Sequence, residues 1–124
     1  MLHEEWVEKA EGDYKTAVIL KRQRKEPQYD AACYHCQQSA EKYLKAYLIK
    51  QGVAPERTHD LRNLLRECII YDAGLSSLWP DVRFLNPFSV QFRYPGDAAT
   101  DIQAKDALDN LRRLRRILRR KMGL

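Results

Sequence analysis

The sequence has no apolar run longer than four residues, as in Ala17–Leu20, whereas a membrane-crossing helix needs roughly 20. The segment Met1–Glu5 carries acidic residues where a signal peptide has a basic and then an apolar stretch, so we predict no export signal. The 3 cysteines, an odd number, then indicate free thiols in a reducing compartment. These absences exclude a membrane-spanning protein and favour a cytoplasmic one without membrane contacts.

Phosphate-binding loops and common hydrolase motifs are also missing. The 5 glycines are isolated, so neither G-x-x-x-x-G-K-[ST] nor G-x-G-x-x-G occurs, and neither do G-x-S-x-G and H-E-x-x-H. Cys33 and Cys36 form a C-x-x-C pair, but both fall on the apolar stripe of a predicted helix. Packing explains them better than metal or redox chemistry. We therefore predict no metal site and no cofactor.

Acidic residues are lacking at the C-terminal end, where the positive charge is concentrated. The formal net charge is +5, yet residues 112–124 contain seven bases and no acid. Arg112, Arg115, Arg116 and Arg119 follow helical spacing and form one basic strip. This strip predicts contact with a partner or polyanion, although a solvated helix end that complements the helix dipole has the same pattern.

Helical periodicity is present along most of the chain. It predicts long helices over about 2–24, 28–51, 58–74 and 98–122, with Thr58 as an N-cap, and a short helix from Ser76 or Ser77 to Leu85. We interpret 86–97 as an ordered loop, with a short strand as the alternative. The predicted fold is all-α, an antiparallel up-and-down bundle of four long helices and one short helix in a single domain, 1–124. The wide apolar stripe of the second helix indicates a homodimer.

A few polar residues interrupt or border the apolar stripes. Asp13 and Gln37 require hydrogen-bond partners if they are buried, and Glu41 and Lys45 are spaced to pair along one helix. We expect His35 on the solvent side of its helix. His59 has the pKa range for acid–base chemistry or could orient a phosphate, and the alternative is a local capping role.

The loop tripeptide Arg93-Tyr94-Pro95 is a candidate phosphate and base contact. An arginine binds phosphate bidentately, and a neighbouring tyrosine can stack on a base. The alternative is that Arg93 neutralises a helix C-terminus while Tyr94 packs.

Three segments together resemble the HEPN domain family. Gln37–Ala46 (QQSAEKYLKA) is similar to its QQaaEkylKA signature, Thr58–Leu61 to its tHdL signature, and Arg93–Pro95 to its RYP loop. The similarity covers about residues 4–120 and is greatest to the stand-alone prokaryotic branch related to the C-terminal domain of sacsin. The resemblance implies a helical bundle, a homodimer, nucleotide or RNA binding at a dimer cleft, and often a minimal nucleotidyltransferase partner in toxin–antitoxin-like pairs.

Many HEPN proteins are metal-independent ribonucleases with the motif Arg-x4–6-His, but no arginine lies five to seven positions before any histidine here. Our leading hypothesis is therefore a non-catalytic dimeric module that binds a nucleotide, an RNA or a nucleotidyltransferase. We expect its binding residues to line a shared crevice with the basic strip. They are Lys42, Lys45, Arg93 and Tyr94. Two alternatives remain open: a ribonuclease that uses His59 and Arg93, and a structural adaptor without a ligand of its own.

Overall fold

The computed structural model describes residues 2–124, which form five α-helices. They are α1 (His3–Arg22), α2 (Tyr29–Lys50), α3 (Leu61–Tyr71), α4 (Trp79–Leu85) and α5 (Asp101–Lys121). Two 3-10 segments, Ala73–Leu78 and Asn86–Ser89, flank α4. No strand occurs within residues 2–124, and the predicted all-α fold with four long helices and one short helix is confirmed.

Helix α2 lies at the centre of the bundle and is the most deeply buried element. Its buried face includes Tyr43, Leu44 and Leu48, and it packs against α1, α3 and α5. Helix α1 approaches α2 closely because it presents small, fully buried side chains, Ala10 and Ala17. No helix among residues 2–124 is long and apolar enough to cross a membrane.

The helices do not alternate in direction throughout. The connector 51–60 runs back along α2, since His59 contacts Glu41 while Cys68 donates to the Leu44 carbonyl. Helix α3 therefore runs in the same direction as α2. Helix α1 is antiparallel to both α2 and α5. Because it packs against both helices, its two flanks meet different cationic side chains.

Two helix ends differ from the expected capping. Asp60, not Thr58, caps α3: its carboxylate accepts from the Arg62 amide at 3.0 Å. Thr58 instead accepts from the Asp60 amide and holds the turn before the helix. Helix α5 begins with a complete capping box between Thr100 and Gln103, which fixes its start at Asp101.

The segment between α4 and α5 is an ordered loop with a 3-10 turn. Phe88 is 5% exposed and stacks on Phe92, with ring centroids 5.8 Å apart. At the other end, Asp30 of α2 accepts from the Ala99 amide at 2.6 Å. The loop is therefore anchored to the core at both ends.

Candidate functional site

The two flanks of α1 meet different sets of cations. On one flank, Glu11 and Tyr14 face α5; on the other, Trp6 and Asp13 face α2. The fully buried Ala10 lies between them and packs in the core. Each flank forms a separate candidate site.

The helical spacing of α5 brings its arginines to one cavity of about 500 Å³ beside α1. Its lining includes the four arginines of the predicted basic strip together with Tyr14, Arg120 and Leu124. The strip identified in the sequence therefore forms one continuous surface. A smaller group of four bases lies elsewhere, at Lys21, Arg22, Arg24 and Lys25: Lys21 pairs with Asp101, about 21 Å along α5 from Arg115.

Glu11 neutralises part of this arginine cavity. Its carboxylate binds the Arg115 guanidinium through two hydrogen bonds and accepts from Arg119 at 3.3 Å. The Arg115 hydrogen bond holds the pKa of Glu11 below its ordinary value against the opposing effect of burial, and the Tyr43 hydroxyl adds to the lowering. Arg119 also donates to Tyr43, whose pKa burial raises to about 12. Arg115 and Arg119 are thus held by the protein itself.

The remaining arginines of the cavity are more available. Arg112 donates to the Tyr14 hydroxyl at 3.2 Å, and the Arg115 guanidinium lies 4.6 Å from the Tyr14 ring centroid. Arg116 and Arg120 are exposed, and within residues 2–124 neither has an acidic partner at 4 Å or less. These two guanidiniums, four residues apart on α5, are the free charges of the site.

The other flank of α1 holds its cations in buried ion pairs. Glu41 is only 3% exposed, and its two oxygens bind the Lys45 ammonium at 3.0 Å and the His59 Nδ1 at 2.9 Å. Lys45 also lies 5.6 Å from the Trp6 ring centroid. The expected Glu41–Lys45 pair is present. His59 precedes α3 rather than lying in its first turn, and its ring is exposed.

Asp13 forms a second carboxylate–histidine–lysine group. It binds the Lys42 ammonium through one oxygen and the His35 Nδ1, at 2.8 Å, through the other. Our expectation of a solvent-facing His35 is wrong, because α1 packs over it and supplies the carboxylate. The buried Gln37 amide also finds partners, donating to the His59 carbonyl and accepting from Gln38.

Arg93 and Tyr94 lie on the loop before α5, away from both lysines. Arg93 lines a cavity of about 310 Å³ with Tyr34 and Phe92. Tyr94 is 72% exposed, so the alternative in which it packs does not hold. Lys42, Lys45 and Arg93 line three different cavities, not the shared crevice that we expected.

The cysteines are packing residues of the core. Cys33, Cys36 and Cys68 are free and fully buried. Burial raises the pKa of Cys33 and Cys68 to about 12, so neither is a reactive thiolate near neutral pH. Within residues 2–124, no group of three or more potential ligands could hold a metal ion.

Several residues of these sites were not identified from the sequence. No sequence motif assigns a binding role to four of them, namely Trp6, Glu11, Tyr14 and Arg120. Glu11 and Tyr14 are three residues apart at the edge of the α1 stripe, which is the one sequence signal that they share a flank.

Comparison with known families decides the class. The HEPN domain model matches residues 3–121. The chain belongs to the HEPN domain family. Among solved structures, this HEPN chain is similar to TT1696 from Thermus thermophilus, with 23% identity, a TM-score of 0.83, and coverage of 96% of this chain and 97% of that one. It is also similar to ST0689, an archaeal HEPN homologue, with 22% identity, a TM-score of 0.79 and 98% coverage of both chains.

At these identities the two structures show the shared HEPN fold alone. No curated protein matches the sequence.

Proposed function

We propose that this HEPN domain is a non-catalytic module that binds RNA through the arginine cavity between α1 and α5. The observation that carries the proposal is the convergence of five α5 arginines on one cavity, with Arg116 and Arg120 exposed and without acidic partners among the described residues. Concentrated positive charge attracts a polynucleotide through its phosphates and releases counterions on binding.

The chemistry of the cavity favours RNA over an acidic protein surface. Its cations are all guanidiniums, which bind phosphate and carboxylate alike through two parallel hydrogen bonds, so the preference for RNA comes from the aromatic ring beside them. Tyr14 adds an aromatic ring to the same cavity, and single-stranded nucleic acids bind where a basic groove is combined with aromatic side chains. A nucleotidyltransferase with an acidic face is the competing occupant.

The proposed module is a homodimer. Large apolar side chains remain exposed on the protomer, including Ile19 at 67%, Ile70 at 77% and Ile102 at 70%. Contiguous exposed apolar surface marks interaction sites, and these side chains are the part of the protomer that a second copy would cover.

Binding is tested by fluorescence anisotropy with a labelled single-stranded RNA of roughly 12 nucleotides and a DNA of the same sequence. Titrations between about 50 and about 200 mM salt give the slope of log K against log salt. The variant Arg116→Ala/Arg120→Ala should lose affinity and reduce the slope by about 1.4, because each single-strand phosphate contact contributes about 0.7.

The matched control is Arg22→Ala/Arg24→Ala, which removes the same charge around the far end of α1. Its slope should stay near the wild-type value. Equal losses of RNA affinity in both variants would show that binding depends only on net charge. The absence of RNA binding at low salt would overturn the proposal. A wild-type protein that ignores RNA but binds a nucleotidyltransferase through Arg116 and Arg120 would identify the competing occupant.

A ribonuclease is the second candidate, and one observation favours it. Glu41 holds the Nδ1 of His59, which leaves the Nε2 on a ring that is 76% exposed. A carboxylate-oriented imidazole is suited to general base chemistry. RNA recovered from the binding assay should be intact on a denaturing gel; cleavage that disappears in His59→Ala would support the ribonuclease instead.

A further inference from the structure

The three histidines share one contact and differ in their surroundings. Each places its Nδ1 within 3.3 Å of a carboxylate oxygen, in the pairs His3–Glu4, His35–Asp13 and His59–Glu41. The side chain of His59 is 76% exposed, against 30% for His35 and 20% for His3. Its carboxylate partner is the most buried of the three, at 5% exposed against 12% and 62%. His59 therefore combines the most accessible imidazole with the most enclosed carboxylate.

The contact with Glu41 determines which nitrogen of His59 can react. An ionised carboxylate only accepts hydrogen bonds, so Nδ1 carries the proton of the neutral ring and Nε2 keeps a free electron pair. Lys45 binds the other Glu41 oxygen at 3.0 Å, which fixes the carboxylate and balances its charge. An anionic reagent at Nε2 is therefore not repelled by a net negative group beneath the ring. A nucleophile beside a hydrogen-bonding group that a third residue orients is the arrangement found in covalent catalysis.

The turn that carries His59 is anchored to the rest of the fold. The His59 carbonyl accepts from the side chain of Gln37, which is buried in α2, at 2.9 Å. The following amide, that of Asp60, donates to the Thr58 hydroxyl at 3.0 Å. The backbone is thus fixed at His59 while Glu41 sets the orientation of the ring. A reactive nitrogen that is already in place needs little further ordering when a reagent arrives.

We propose that His59 is a phosphoryl acceptor, whose Nε2 takes a phosphoryl group from a donor with a phosphorus–nitrogen bond or an acyl phosphate bond. The Nε2 electron pair forms the new bond to phosphorus. The bond from phosphorus to the leaving group breaks with its electron pair and releases ammonia from protonated phosphoramidate, or a carboxylate from an acyl phosphate. The proton stays on Nδ1, where Glu41 balances the positive charge that the ring acquires.

The inference does not depend on RNA binding. Glu41 and His59 lie on the α2 flank of α1, whereas the arginine cavity lies on the α5 flank. The variant Arg116→Ala/Arg120→Ala, which should lose RNA affinity, should therefore accept a phosphoryl group at the wild-type rate. The two proposals can fail separately.

The test treats the full chain with phosphoramidate and, separately, with acetyl phosphate. Intact mass and peptide mapping locate the product, and phosphorus NMR distinguishes phosphorylation at Nε2 from that at Nδ1. We expect Nε2 of His59 to react about tenfold faster than His35 or His3, which is more than the differences in exposure account for. The preference should disappear in protein unfolded in urea. His59→Gln should remove the product, and the matched control His35→Gln should retain it.

Glu41 is assigned as a positioning residue, and Glu41→Gln tests this role. The change frees Nδ1, so the rate at Nε2 should fall by about tenfold or more and product at Nδ1 should appear. A merely structural role would not move the reaction from one nitrogen to the other. Circular dichroism melting checks that the variant folds. If it does not, Glu41→Gln/Lys45→Met takes its place.

The outcomes separate clearly. No phosphohistidine at His59 with either donor would overturn the proposal, as would equal labelling of the three histidines in the folded protein. An unchanged rate at an unchanged nitrogen in the folded Glu41 variant would overturn the positioning role. Reaction with only one donor would support the proposal and identify the type of bond that supplies the phosphoryl group. RNA cleavage that is lost in His59→Gln, with no phosphohistidine formed, would assign the imidazole to general base catalysis instead.

Discussion

The two flanks of α1 contain the same kinds of charge in opposite physical states. Beside α2, the Lys45 side chain is 10% exposed and the side chain of its partner Glu41 is 5% exposed, so little of the pair contacts water. Beside α5, Arg116 and Arg120 are exposed and lack acidic partners within residues 2–124. The comparison teaches that a cation in a sequence motif is not thereby an unpaired one, since the motif lysines Lys42 and Lys45 form ion pairs with carboxylates and the unpaired cations lie outside the motif.

The largest expected effect is the loss of the buried carboxylate. Glu41→Gln leaves the Lys45 ammonium buried without a counter-ion, so we expect the free energy of unfolding in urea to fall by about 3–5 kcal/mol. The matched control is Glu56→Gln, an exposed carboxylate without an ion pair among the described residues, and it should change stability by less than about 0.5 kcal/mol.

The double variant Glu41→Gln/Lys45→Met sharpens the same comparison. Because it removes both charges, it should be more stable than Glu41→Gln alone. A Glu41→Gln protein as stable as the control would show that the Glu41–Lys45 pair is hydrated in solution. The two flanks of α1 would then not differ in how far their charges are buried.

Helical periodicity was sufficient to predict the all-α class and its long helices, because apolar stripes in α2 and α5 specify which faces are buried; it did not predict that α3 runs in the same direction as α2. The same spacing predicted that the α5 arginines share a surface, since residues on one helix face are neighbours whatever packs beside them. The resemblance to the HEPN domain family, drawn from the sequence, is confirmed by the family match.

The parts that depend on contacts between helices were not predictable. Whether Glu11 meets Arg115, and whether Lys42 meets Asp13, depends on the register at which α1 packs against its neighbours. The connector 51–60 carries no periodic pattern, yet its return along α2 is what brings His59 to Glu41. The separation of Lys45 from Arg93 has the same cause, because the path of the loop before α5 determines where Arg93 lies and the helical stripes do not.

An intermediate effect comes from a residue outside both flanks. Thr100→Ala removes the hydroxyl that accepts from the Gln103 amide at 3.1 Å, and we expect a loss of about 1 kcal/mol in the free energy of unfolding. RNA affinity of the folded protein should not change, because the arginines keep their positions on α5. Measured together, urea unfolding and anisotropy would separate stability from binding, and a parallel loss of affinity would mean that binding follows overall stability rather than the free arginines.

We expect the smallest loss of stability from Glu11→Gln, together with a gain in RNA affinity. Glu11→Gln removes the ion pairs of Glu11 with Arg115 and Arg119, here called the Glu11 clamp. We expect this to lower the free energy of unfolding by less than about 1 kcal/mol, because the pairs lie near the surface. Since the folded-state pKa of Glu11 lies below its ordinary value of 4.5, the clamp stabilises the protein above that pH and is lost as the pH falls through the folded-state value. The melting temperatures of wild type and variant should therefore differ at neutral pH and converge in acid.

The same substitution frees two guanidiniums, so RNA affinity at neutral pH should rise by about two- to fivefold, the equivalent of about 0.5–1 kcal/mol. A gain in binding together with a loss in stability is the result that distinguishes an arginine cavity built for a ligand from one built to hold α1. If Glu11→Gln lowers both the RNA affinity and the stability, Glu11 positions the arginines for RNA. The distinction between the ion-paired arginines Arg115 and Arg119 and the unpaired arginines of α5 would then be contradicted.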